Sequence, residues 1–572
     1  MSLLRIRLSN IVGTIIVALA SAFFGYLEEH GDTSTTSTAT SRLDLMANPR
    51  LLLDIDDALV SDSNPARTDG RGLDYGRCAR LHNYLVAYGW MAYHQRGPED
   101  LDELLTRPTF FERQRDGSEV LRNRLDAGLI SYLESIIMPD TGISYWVENV
   151  DVRPADVHFF VEENDLYDKE RFVILYGSWC EHGGHTVGLV YDQQRQQVAM
   201  TLVQENIDSV SPVDKHLDMW FPLETMLTNW IHMLQIGKVT AGPERAWDDE
   251  PETTAADQLG AWMWQPYSLA QVDNAVAAID KLYAAIEARM PPSSLLSVVA
   301  DTPLLTHADL DAASVPKNCF IRSVLTKVKT PRFKHIAPGL EVPHDATRFI
   351  AQQQFTALQP SRDEEGAEII PSVLIFAVAD KRRTVGFNKE IRRTFISAND
   401  LEANIPYKDG HPIVAGLYSE LIRRGECDIA EEGFRLLLPF ALRSNYREDY
   451  YTPKRSDGSS VDVGSHTQLF QFGYFHPFGG EWRAQRLEKL MDRWRELVES
   501  GIWSVGRDGV QGSIDVFADA EVGAWRDYWI EPEWEASESN GTWKVVTTYP
   551  SLIIAYSTLV DCVLKRFTFE QS

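Results

Sequence analysis

The chain is 572 residues long, 44% hydrophobic and 10% aromatic, which excludes a disordered composition and supplies apolar surface for more than one core. With 55 basic against 83 acidic residues its net charge is −28, which argues against nucleic acid as a partner because a polyanion is repelled. The 5 cysteines, Cys78, Cys180, Cys319, Cys427 and Cys562, are widely spaced and form no disulfide framework.

In chain order, Arg5 and Arg7 precede an apolar run over residues 11–27, with Ala20-Ser21-Ala22 as a small-residue cleavage pattern. The run is short of the roughly 20 apolar residues that span a bilayer. It reads as a leader or anchor, or else as a buried helix, so an intracellular and an anchored or exported location stand level. Any membrane contact is expected through residues 11–27 alone. Residues 31–41 are rich in Thr and Ser and read as a linker.

From residue 43 to 138 the apolar spacing is helical. Leu81, Tyr84, Leu85 and Tyr88 share one face, and Leu121, Leu125, Leu129, Leu133 and Ile136 share another. Arg77, Arg80 and His82 are expected to solvate the first of these helices. After Pro139 short β-prone runs follow at 143–147, 157–161, 171–176, 186–191 and 198–203, with a hairpin loop at 192–197. They predict a central, mainly antiparallel sheet. Helices are expected over 221–236, stopped by Gly237, and over 268–290, capped by Ser268. A buried strand is expected over 373–379 and an amphipathic helix over 482–499, before a tail carrying Trp503, Trp525, Trp529, Trp534 and Trp543. The fold class is α+β and multidomain, a central sheet flanked by helical regions. The expected divisions are 1–42 (apolar segment and linker), 43–138 (helical), 139–358 (α+β with the sheet) and 369–572 (Trp-rich).

The chemistry-bearing stretch is Cys180-Glu181-His182-Gly183-Gly184-His185, a thiol and two imidazoles on a glycine turn between two predicted strands. One reading is thiol-dependent hydrolysis or acyl transfer. A thiol needs an imidazole or a helix N-terminus to become a thiolate near neutral pH. Cys319 precedes a predicted helix over 320–328 with Lys317 beside it, so Cys319 or Cys180 is the candidate nucleophile, His185 the base and Asp192 the carboxylate that orients it. A second reading is metal binding: Cys180, His182 and His185 offer thiolate and imidazole ligands suited to zinc, with Glu163, Glu205 or His476 as a fourth ligand. The acidic run Asp248-Asp249-Glu250-Pro251-Glu252 contains a proline and reads as a solvated loop. The third reading is a non-catalytic interaction or scaffold protein that binds a protein or small-molecule partner through aromatic surfaces.

The order His185, Asp192, Cys319 resembles that of the ubiquitin-like-protein peptidases of the deSUMOylating type, over residues 172–203 and the turn at Cys319. That resemblance implies a cysteine peptidase. The sequence departs from the family's pattern, with Thr186 where an aromatic follows the histidine and Asn318-Cys319-Phe320 where Asp-Cys-Gly surrounds the nucleophile. No assignment is made from it.

Overall fold

The computed structural model describes residues 42–67, 70, 72–114, 118–138, 171–177, 186–203, 220–243, 258–259, 262–299, 301–358, 368–396, 406–424, 431–443, 453–455, 460–471 and 485–530. Residues 11–27, the expected strands at 143–147 and 157–161, the hexapeptide 180–185, the acidic run 248–252 and His476 lie outside them. Among the described residues no helix is long and apolar enough to cross a membrane. What they form is an α+β fold built on two hydrophobic cores.

The first core runs from Leu45 to Trp262. Asp74 accepts from the Arg77 amide and starts helix α1, Tyr75–His94, which Gln95 ends in the left-handed region at φ 53°. Asp126 likewise caps α2, Ala127–Ser135, so the expected stripe from Leu121 to Ile136 is buried as predicted but is broken by a turn. Strands β1 (Phe172–Gly177), β2 (Thr186–Asp192) and β3 (Gln197–Val203) form an antiparallel sheet in the order β1-β2-β3, with Phe172 opposite Asp192 and Asp192 opposite Gln197. Helix α3, Leu223–Gln235, is buried from Leu223 to Leu234, as suits a helix enclosed on all sides. Gly237, at φ +70°, follows its end. The helices and the sheet share this one core, with Leu85, Tyr132, Leu175, Leu189 and Trp230 packed together.

The second core gathers residues from Val272 to Ile530. Helix α4, Leu269–Glu287, begins with a reciprocal capping box between Ser268 and Gln271. Its apolar face, including Val272, Ile279, Leu282 and Ile286, is buried. Helix α5 is Phe320–Lys327 and α6 is Ala346–Gln352. Helix α7, Leu487–Glu499, packs on α4 through a stripe that includes Leu490, Trp494 and Leu497.

The largest sheet lies in this second half, although the run at 143–203 reads as the central one. Its strands are β4 (His335–Ala337), β5 (Leu340–Glu341), β6 (Leu374–Val378), β7 (Gly416–Ser419), β8 (Phe434–Leu437), β9 (Val505–Gly506) and β10 (Gly509–Val510). Their spatial order is β8-β7-β6-β5-β4-β10-β9. All neighbours are antiparallel except β10 and β4, which meet in parallel at Gly509 and His335. Gly509 sits at φ +113°, and a Cβ there would come within 2.4 Å of the His335 carbonyl oxygen, so only glycine fits this parallel junction.

Candidate functional site

Cys319 is the N-cap of α5, as the sequence predicts, but its surroundings are those of a structural thiol. It is fully buried, and its Sγ donates to the Pro316 carbonyl at 3.4 Å. The anion at this helix N-terminus is the Glu431 carboxylate, which accepts from the Phe320 amide at 3.0 Å. Burial first, with Glu431 adding to it, pushes the Cys319 thiol up to about 12 against the opposing Arg322 backbone contact and nearby guanidinium charge. Lys317 points to solvent.

Glu431 is held there by a buried guanidinium. The short ribbon Ile369–Ile370 against Ile422–Arg423 sets Glu368 opposite Arg424. Arg424 then donates through Nε to Glu431 at 2.7 Å, through Nη1 to Glu368 at 2.6 Å and through Nη2 to the Asn318 carbonyl. The loop that leads into Cys319 is tied down by this network rather than opened toward an imidazole.

Asp192 is also committed. Fully buried at the end of β2, it receives Arg171 Nη2 at 2.6 Å and Nε at 3.0 Å, and it accepts the Gln194 amide at 2.9 Å to close the β2–β3 hairpin. At about 3.3 Å per residue the strand carries this carboxylate roughly 20 Å from its start at Thr186. Asp192 therefore orients Arg171 and a turn. Cys180, His182 and His185, with Glu163 and Glu205, lie outside the described residues, within which no cluster of three or more His, Cys, Asp or Glu is arranged to hold a metal.

The residues expected to solvate α1 divide instead between its two sides. Arg80 pairs with Asp57 near the surface, as expected, whereas Arg77 and His82 are buried. Arg77 donates to the carbonyls of Ala58 (2.6 Å), Leu59, Asn64 and Pro65 (2.8 Å each), which replaces the water its guanidinium gives up. His82 places Nε2 at 3.0 Å from the Ile137 carbonyl and Nδ1 at 2.8 Å from the Tyr176 hydroxyl. A carbonyl only accepts, so Nε2 carries the proton and Nδ1 receives from Tyr176, whose oxygen in turn meets the Tyr132 hydroxyl. Burial holds this imidazole neutral, its pKa lowered to about 4. One turn earlier, the buried Cys78 thiol lies 3.6 Å from a Glu224 carboxylate oxygen, and burial pushes it well above its ordinary range. The signal in the sequence was position: Cys78, Leu81, His82 and Leu85 share one helical face, so the histidine lies on the buried stripe.

The site that no motif announced is a cavity of about 240 Å³ between β5, β6 and α6. Val342, Phe349 and Leu374 are among its apolar walls, and Lys334, His344 and Arg348 among its polar ones. Asp345 caps α6 by accepting the amides of Thr347 (2.9 Å) and Arg348 (3.3 Å). Arg348 Nη1 lies 2.5 Å from the Glu341 carboxylate, while its Nε and Nη2 are buried without a hydrogen-bond partner. Lys334 pairs with Asp508 at 2.8 Å, and His344 Nε2 donates to the Phe333 carbonyl at 2.6 Å. A cavity this small takes one compact molecule.

No family model matches the chain, and neither a curated protein nor a solved structure does.

Proposed function

We propose that this chain is a non-catalytic binding protein whose partner is a small molecule rather than a substrate for thiol chemistry. The observation that argues against thiol chemistry is the bonding of Cys319, a fully buried thiol donating to Pro316 behind a helix N-terminus already occupied by Glu431, and the cavity of about 240 Å³ between β5, β6 and α6 supports a small-molecule partner. A nucleophile needs the reverse, an accessible thiolate with a base in reach. Asp192, spent on Arg171, supports the same reading.

Hydrolysis, acyl transfer and zinc binding rest in consequence on Cys180, His182 and His185, with Glu163, Glu205 or His476 as a fourth metal ligand, all outside the described residues. Metal analysis of the purified chain separates these readings together with an activity panel of ester, amide and isopeptide substrates. The binding reading expects less than stoichiometric zinc and no turnover that the Cys180→Ser or Cys319→Ser variants abolish. Stoichiometric zinc lost in the His185→Ala variant, or turnover lost in either serine variant, overturns it. Residues 11–27 are proposed as a leader or anchor, which N-terminal sequencing of the purified protein tests: an intact Met1 in a protein that stays in the soluble fraction removes both.

A further inference from the structure

We propose that the cavity between β5, β6 and α6 takes a small uncharged molecule, an apolar ring or branched chain carrying one hydroxyl. This deepens the binding reading and rests on it by naming the ligand class and the site. Glu341 of β5 stands opposite Ala377 of β6 in the strand register, so both side chains leave the same face of the sheet. Arg348 of α6 reaches that face to pair with Glu341, and Ala377, with only a methyl group, leaves room beside the pair. An apolar cavity of roughly 150 Å³ holds benzene. About 240 Å³ therefore admits a ring with a short substituent.

The charges at the cavity are already answered. Lys334 pairs with Asp508 at 2.8 Å, and Glu341 with Arg348 at 2.5 Å. Nε and Nη2 of Arg348 are closed to solvent, so the guanidinium gives an anion no grip there. Asp345 accepts the amides of Thr347 and Arg348 and is otherwise exposed, where a pair with a ligand cation is worth little. An ion entering the cavity sheds water and gains no opposite charge in exchange, a loss that an uncharged molecule avoids. Leu296, Pro343 and Ala377 are half-buried and offer it apolar surface. Gln352, one turn beyond Arg348 on α6, adds a neutral amide that a hydroxyl can bond.

NMR titration of the full chain, read by saturation transfer to the ligand, tests the site with benzyl alcohol, benzylammonium and benzoate, which share a shape and differ in charge. Benzyl alcohol is expected to saturate one site with a Kd of about 1 mM, as suits so few atoms, and both ions to bind about tenfold more weakly or not at all. Ala377→Leu fills the cavity and weakens benzyl alcohol about tenfold or more, and Leu296→Ala removes apolar wall and weakens it about fivefold. Matching circular dichroism and thermal midpoints confirm that each loss is read on folded protein. Absence of saturable benzyl alcohol binding to the unmodified chain, tighter binding of either ion, or unchanged binding in both variants overturns the site. Benzyl alcohol binding that persists beside turnover lost in Cys180→Ser overturns the non-catalytic reading instead and leaves the site standing, so the two failures are distinct.

Discussion

Around helices α1 and α5 polar groups are buried in opposite ways. Around α1 the buried groups are satisfied largely by neutral partners: Arg77 by four carbonyls, and His82 by one carbonyl and a tyrosine hydroxyl. Around α5 the buried groups are charges that answer one another: Arg424 with Glu431 and Glu368, and, where the cores meet, Lys238 with Glu432 at 3.8 Å. Gln271 of α4 also donates to Glu432, and Lys238 donates to the Pro266 carbonyl, so the chain between the cores is tied from both sides. The contrast teaches that a residue's chemistry belongs to its surroundings. Cys319 has the helix N-terminus that activates thiols elsewhere, yet Glu431 occupies it.

If the α5 network is a true buried ion cluster, breaking one member is the most damaging change. Arg424→Met strands two carboxylates, one of them nearly fully buried, and is expected to lower unfolding stability by about 3–5 kcal/mol. Adding Glu431→Leu to it should recover part of that loss in urea titrations, because the uncompensated charge is gone. No recovery would place the cost in lost packing rather than in charge.

In the α1 core the corresponding change is Arg77→Met, which takes one donor from each of four carbonyls, those of Ala58 and Leu59 on buried residues, and is expected to cost about 3 kcal/mol. Arg80→Ala on the same helix breaks a surface pair with Asp57 and is expected to cost less than about 1 kcal/mol. Similar losses in the two variants would contradict the division of α1 into a buried and a solvated side.

The neutral relay also sets a pH dependence. The His82 imidazole has its pKa lowered from 6.5 to about 4 in the folded chain, so between those values the unfolded state binds more protons and stability falls as pH falls. On passing from pH 7 to pH 5, the wild-type chain is expected to lose about 2 kcal/mol more than His82→Gln, as read by urea midpoints at each pH. His232, also lowered to about 4 chiefly by burial, contributes a similar slope that remains in the variant. An identical pH slope in the two proteins would remove His82 from the buried relay. The smallest effect belongs to the exposed basic cluster: Lys381→Ala and Arg382→Ala are expected to leave thermal midpoints unchanged, since Arg382 pairs only locally with Asp380.

What was legible in the sequence was local. The Ser268 cap, Gly237, the hairpin at Asp192 and the strand ending at Val378 each depend on a few adjacent residues, and these elements appear where the local pattern puts them. The large sheet was not legible, because several of its strands are only two or three residues long and are paired across long separations, as Gly509 is with His335. Such runs have no period to read. His82 was misplaced because its side chain was weighed by polarity, when its position beside Leu81 and Leu85 on the buried stripe decided the outcome. Nor does Arg348 announce a site in sequence. The cavity it borders exists only once β5, β6 and α6 converge.

Whether the Cys319 thiol is structural is read at the sulfur itself by pulsed alkylation of the native chain followed by peptide mass spectrometry. Cys319 is predicted to stay unmodified at pH 7 to 9 and to react at the rate of a free thiol only when urea unfolds the protein. Rapid native labelling of Cys319, with a rate that levels off below pH 7, would mean an accessible thiolate at the N-terminus of α5 and not a structural thiol.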